Sequence, residues 1–145
     1  MNAVDLRSLL ADASHGGAYF VAEGDTAAIA KAGAALGLAV VRIDLAGCVD
    51  APTLFARFAS ALGFPEWFGH NWDALADSLG DLSWLPAGGY LLLLENASGW
   101  RSAAGEDAAT LLEILNAAAA SWAAHGVAFW ALLPLPAAEL DALDP

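Results

Sequence analysis

The sequence predicts an α/β fold, a small parallel sheet of about four strands covered by helices. Three observations predict it. Four short apolar runs are each bounded by Gly, Pro or polar residues. Longer stretches with helical spacing lie between them. Within the runs, apolar residues follow one another without alternation, as in strands buried on both faces of a sheet.

An opening helix is expected near 3–13, followed by a strand at AYFVA (18–22). TAAIAKAGAALG (26–37) has helical spacing and ends in Gly37, a residue that readily adopts the left-handed turn closing a helix. The second strand is LAVVRIDL (38–45), and the next helix, APTLFARFASALG (51–63), again ends in Gly. Residues 64–89 break the alternation with a turn, a short helix and a Gly/Pro-rich loop; irregular connections of this length are more often functional than idle. YLLLLE (90–95) is the third strand. DAATLLEILNAAAASWAAHG (107–126) opens with acidic residues suited to the positive end of a helix and closes on Gly126. VAFWALL (127–133) is the fourth strand, and a short helix near 136–142 finishes the chain. The glycine pairs at 16–17 and 88–89 read as turns. No linker, repeat or low-complexity block divides the sequence, so residues 1–145 are expected to form a single domain.

At 145 residues such a domain buries roughly two thirds of the surface its unfolded chain exposes, enough for a real core. Hydrophobic residues make up 59% and the mean hydropathy is +0.55, but the surplus is Ala and Leu dispersed among charges. No window offers the roughly 18 uninterrupted apolar residues of a spanning helix. The N-terminus lacks the basic-then-apolar order of a signal peptide, and Cys48 is the sole cysteine, which excludes an internal disulfide. A reducing cytoplasm is the expected location.

The net charge is −12 and uneven. Residues 1–57 carry six acids and four bases, and residues 58–145 carry eleven acids and one base, Arg101, which places −2 on the first part and −10 on the second. A field of that sign solubilises the surface, repels nucleic acid and membranes, and attracts a basic protein.

The irregular stretch reads FPEWFGHNWDALADSLGDLSWLPAGGY (64–90). Pro65 and Gly69 punctuate a loop presenting Trp67 and Phe68, and Asn71 is placed to cap the helix that follows. Trp72, Leu75 and Leu79 fall at i, i+3 and i+7 and define a core stripe. Asp73 and Asp77 lie four apart on another face, a spacing at which like charges cost a helix about 0.2–0.5 kcal/mol. Asp73 has a local justification, because a first-turn carboxylate favours the helix dipole. Asp77 sits past the first turn, where the dipole offers little, and is the stronger candidate for a role outside the fold. Trp67 and Trp84 flank the pair; each reads either as a lid on the core or as an anchor for a protein partner. Single-stranded RNA binding is argued against by the missing basic groove.

His15 and His125 are isolated from any nucleophile or ligand spacing and read as surface or capping residues; His70 adjoins the acidic helix and joins the candidates. The sequence holds no P-loop, dinucleotide fingerprint or nucleophile elbow, so no cofactor, metal or catalytic residue is expected and the protein reads as a non-enzyme. One competing reading gathers Asp44, Glu95 and the helix carboxylates around Mg²⁺ as a phosphohydrolase. Another keeps the fold and makes it a binding module for a transcriptional or toxin-like protein.

With these residues in view, the sequence resembles the barstar family of intracellular ribonuclease inhibitors. PEWFG (65–69), Asn71, DAL (73–75), Asp77 and Leu79 carry the likeness, behind a helix ending ALGF and ahead of LLLLE and a final helix–strand pair. It covers roughly residues 38–133, with 1–37 as an added helix, strand and helix and 134–145 as a tail. The resemblance implies that Asp77 is the main anchor in a nuclease site where substrate phosphate binds, that Asp73 is a second acidic contact and that Trp67 packs against the partner. Gly69 and Asn71 shape the entry to the helix. Three departures stand out. Ala76 occupies a place where the family's best-known inhibitor has Trp. Its interface glutamate on the next long helix has no equivalent near Asn116–Ala117. The loop after Leu79 is longer, so Trp84 matches only loosely. The partner this implies is a basic ribonuclease, barnase-like or other.

Overall fold

A computed structural model describes residues 3–143, and the side chains of residues 6–143. The chain runs α1 (Ala3–Ala11), β1 (Gly17–Ala22), α2 (Thr26–Ala35), β2 (Ala39–Asp44), α3 (Ala51–Leu62), α4 (Trp72–Asp81), β3 (Gly89–Glu95), α5 (Ala97–Ala104), α6 (Glu106–Ala123), β4 (Ala128–Leu135) and α7 (Ala137–Asp141), with short 3-10 turns at Ala13–His15 and Glu23–Asp25. The four strands form one sheet in the order β1-β4-β3-β2, and every pairing is parallel. The expected α/β class and four-stranded parallel sheet are therefore what the chain forms. Expected residues 1–2 and 144–145 of the single-domain range lie outside the described residues.

Parallel strands require crossovers, and the crossovers supply helices to both faces of the sheet. Side chains alternate along β3: Tyr90, Leu92 and Leu94 enter the larger core beneath α3 to α6, whereas Leu91 and Leu93 enter a smaller one beneath α1 and α2. All five are at most 2% exposed, which explains the unbroken apolar run. Full burial of each such leucine is worth about 1.5–3 kcal/mol.

Local chemistry sets the helix ends. Asp50 caps α3 by accepting the Thr53 N–H at 2.9 Å, and Gly63, at φ 66°, ends it in the left-handed region. On α6, Leu111, Leu115, Ala118 and Ala119 are buried at i, i+4, i+7 and i+8, one stripe against the sheet.

Two expectations are corrected. The glycines at 16–17 and 88–89 are not simple turn pairs, since Gly17 and Gly89 belong to strands. A Cβ at Gly16 would stand 2.6 Å from the Phe129 carbonyl oxygen, and one at Gly89 would stand 2.5 Å from Leu38 Cδ2. Close approach of backbone and neighbours is the reason for both. Residues 97–104, for which the sequence predicts no element, form α5, which buries Ala97 and Trp100.

Candidate partner-binding site

The loop from Phe64 to Asn71 is held from beneath by aromatic packing. Phe68 is buried and its ring lies 4.8 Å from that of Phe64, which meets Trp84 edge-on at 5.8 Å. Trp84 is half-buried and donates its indole N–H to the Leu62 carbonyl at 3.0 Å, so it closes the core under the loop. Trp67 packs edge-on against Trp84, 6.3 Å between centroids, yet stays 66% exposed. The two readings of these tryptophans thus divide between them: Trp84 is the lid, and Trp67 presents its ring outward.

His70 adopts φ 52° and directs Nδ1 to the Phe68 carbonyl at 3.0 Å, its ring 4.8 Å from the Phe68 ring. That left-handed residue turns the chain into α4. Asn71 then caps the helix, its Oδ1 accepting the Ala74 N–H at 2.7 Å while Nδ2 donates to the Gly69 carbonyl at 3.3 Å. Gly69 is left little room, for a Cβ there would lie 3.3 Å from Asn71 Nδ2 and 3.5 Å from Ala74 Cβ. Loop and helix are joined by one asparagine.

Within α4, Leu75 and Leu79 are buried, and Trp72 meets Phe55 edge-on at 4.9 Å, as the stripe predicts. The indole N–H of Trp122 on α6 donates to the Leu79 carbonyl at 2.8 Å, fixing the two helices together. Asp73 and Asp77 are exposed, and among the described residues neither takes part in an ion pair or a side-chain hydrogen bond. Beside Asp77 the helices leave a groove of about 480 Å³, lined by Ala76, Gly80, Asp81, Ala117 and Ser121 among others. Ala76 is exposed on its wall, so the absence of a large side chain there leaves open space.

On the α6 wall of this groove the sequence points only to Ala117, through the resemblance; Ile114, Ala118 and Ser121 are not legible from it, apart from the run of small residues from Ala117 to Ala120. Asn116, at the place the resemblance gives to an interface glutamate, instead accepts the Ala18 N–H at 2.9 Å and covers the edge of β1.

The carboxylates proposed to gather around a metal do not do so. Arg42 pairs with Glu95 at 3.2 Å, and Asp44 accepts Asn96 Nδ2 at 2.7 Å and the Ala46 N–H at 2.9 Å. The Asn96 hydrogen bond is the main reason the Asp44 carboxyl is held below its usual range, with the Ala46 N–H adding to it. Among the described residues no three His, Cys, Asp or Glu side chains are placed to hold a metal ion.

A family model described as Barstar (barnase inhibitor) matches residues 38–134, more than half of the chain. The chain belongs to the barstar family. Its family portion runs from just before β2 to the last residue but one of β4, so the loop and helix just described lie inside it. No curated protein matches the chain. Among solved structures, the ORC2 protein of Aeropyrum pernix, in ADPNP–ADP complexes, superposes with a TM-score of 0.58 over 97% of this chain at 18% identity. The chain spans 42% of that protein, and at such identity the likeness concerns the fold alone. No described helix is long and apolar enough to cross a membrane.

Proposed function

We propose that this barstar-family protein inhibits a ribonuclease, occupying its basic active site with the acidic face of α4 and the loop carrying Trp67. The observation that carries the reading is the pair of exposed carboxylates, Asp73 and Asp77, on a helix whose other face is buried and whose start is capped. A ribonuclease gathers Lys, Arg and His where phosphates bind. Carboxylates held on a rigid helix reproduce the substrate's charge and offer no phosphodiester to cleave. The inhibitor itself needs no catalytic group, cofactor or metal.

Asp77 is the central anchor, Asp73 a second acidic contact and Trp67 the aromatic edge of the surface. Gly69, His70 and Asn71 set the geometry of entry, Trp84 supports Trp67, and Ala76 leaves room beside Asp77 for a partner side chain. The −10 carried by residues 58–145 speeds encounter with a basic protein, and the reducing interior of the cell is where such an inhibitor would act.

The test is inhibition of a barnase-type ribonuclease cleaving RNA, titrated with the parent protein and with Asp77→Ala. The parent inhibits, and the variant loses a factor of roughly 30 or more in affinity, the scale of removing one partner of a buried, hydrogen-bonded charge pair. Association of the parent slows as salt rises from 50 to 500 mM. Equal inhibition by parent and variant would remove Asp77 from the site. The second reading, the same fold serving a partner that is not a nuclease, is favoured by the open space at Ala76, and binding of a basic protein with no effect on RNA cleavage would support it.

A further inference from the structure

The sheet's second face contains a groove that the inhibitor reading does not use. α1 lies over β4 and α2 over β2 and β3, while β1 at the sheet edge meets only the short α7 on this side, whose Leu140 lines the gap beside Tyr19 and Val21. The result is a cleft of about 570 Å³, a volume ordinary for a small-molecule site. Leu6, Leu9, Val21, Ile29, Trp130 and Leu132 make it apolar, and the Tyr19 ring, 45% exposed, stands 5.6 Å from that of Trp130.

Polar groups are confined to its mouth. Asp25 lines the cleft and lies beside Glu23 in the 3-10 turn that joins β1 to α2. His15 also lines it, with Nδ1 paired to Asp12 at 2.8 Å and its carbonyl accepting the Tyr19 hydroxyl at 2.6 Å. Asp12 thus offsets His15 whenever the imidazole is charged. Asp25 makes no ion pair among the described residues. Among the described lining residues the balance is negative, in a protein of net charge −12.

We propose that this cleft binds an apolar organic monocation of the alkylamine class, its chain lying on Leu9, Val21, Ile29 and Trp130 and its ammonium meeting Asp25. An aromatic pair at an apolar wall with one carboxylate at the rim matches an amphiphilic cation in both halves. An anionic amphiphile would meet the same wall against the field of Asp25 and of the whole molecule. A second copy of the chain is disfavoured on the same ground, and Asn116 already covers the Ala18 amide on the β1 edge it would have to use. Because the acidic face of α4 lies on the other side of the sheet, the two sites are separate.

Octylamine, octanol and octanoate are the probes, titrated into the full chain with its isoleucine methyl groups observed by NMR. Ile29 lines the cleft, while Ile43 is fully buried in the other core and Ile114 lines the α4–α6 groove, so each methyl reports a different place. Octylamine shifts Ile29 and leaves Ile43 and Ile114 in place. It binds about fivefold more tightly than octanol, the scale of one exposed ion pair, and octanoate binds most weakly. Asp25→Asn removes the preference for the amine and leaves octanol binding intact. Ala28→Trp, which adds a ring at an exposed position of the lining, abolishes binding of all three probes with an unchanged circular dichroism spectrum. Failure of every probe to shift Ile29 would overturn the site. Binding of octanoate equal to that of octanol, or an amine preference that survives Asp25→Asn, would overturn the assignment of a cation.

Discussion

Asn71 shows how one side chain connects sequence, element and surface. Its Oδ1 satisfies the Ala74 N–H, an amide that helix geometry leaves without a partner, and its Nδ2 reaches back to Gly69. Asn71→Ala is expected to cost about 1 kcal/mol in urea unfolding, and to weaken nuclease inhibition beyond that because the loop loses its tie to α4. Gly89 is fixed by packing and not by hydrogen bonding. A methyl group there would meet Leu38 Cδ2 at 2.5 Å and the Ala128 carbonyl oxygen at 3.0 Å, whereas one at Gly88 would meet nothing within 4 Å. Gly89→Ala therefore destabilises by about 1–3 kcal/mol, while Gly88→Ala stays within about 0.5 kcal/mol, both read from the same denaturation curves. The sequence showed two adjacent glycines and no difference between them. What separates them is the approach of Leu38 and Ala128, distant in the chain, which no local pattern encodes.

Elements were legible wherever an apolar run or a capped amphipathic stripe stated its own period. β3 and β4 read as buried strands because every residue of YLLLL and AFWALL packs against a helix layer, and α4 read correctly because Asn71, Leu75 and Leu79 stand at fixed helical offsets. α5 was not legible. Its sequence, ASGWRSAA, contains Gly99 and two serines, and one large apolar residue, Trp100, carries the burial, so tertiary contact and not intrinsic preference makes it a helix. It also holds α7. Ser98 and Arg101 both reach Glu139, and the Ser98 hydrogen bond, followed by Arg101, keeps the Glu139 carboxyl below its usual range. A depressed carboxylate contributes stability that is complete above its unfolded pKa, about 4.3, and disappears as pH falls through the lower folded value. The thermal midpoint of the parent is thus expected to exceed that of Glu139→Gln at pH 7, and the gap is expected to close below about pH 4. A gap independent of pH would assign the latch to shape and not to charge.

For the whole molecule the question is what α1, β1 and α2 contribute, because the family portion begins only at residue 38. They cover Leu91, Leu93, Trp130 and Leu132, all at most 4% exposed, and β1 pairs along β4 from Gly17↔Trp130 to Ala22↔Leu135. Removing residues 1–37 would strip the helix layer from one face of the sheet and leave β4 as an open edge with no charged residue on it. A chain starting at residue 38 keeps α3, α4 and every fully buried residue of the larger core, losing from it the half-buried Ala18 and Phe20 of β1, so loss of the acidic site is not built into the deletion. It is expected to bind a hydrophobic dye, to lose its sharp thermal transition and to associate as its concentration rises. The full chain should do none of these. A monomeric truncated protein with the parent's midpoint would show that the second layer is an appendage. The burial of Leu91, Leu93, Trp130 and Leu132 argues the reverse: the second layer is half of what keeps the sheet in one molecule, and it leaves the acidic face of α4 free on the other side.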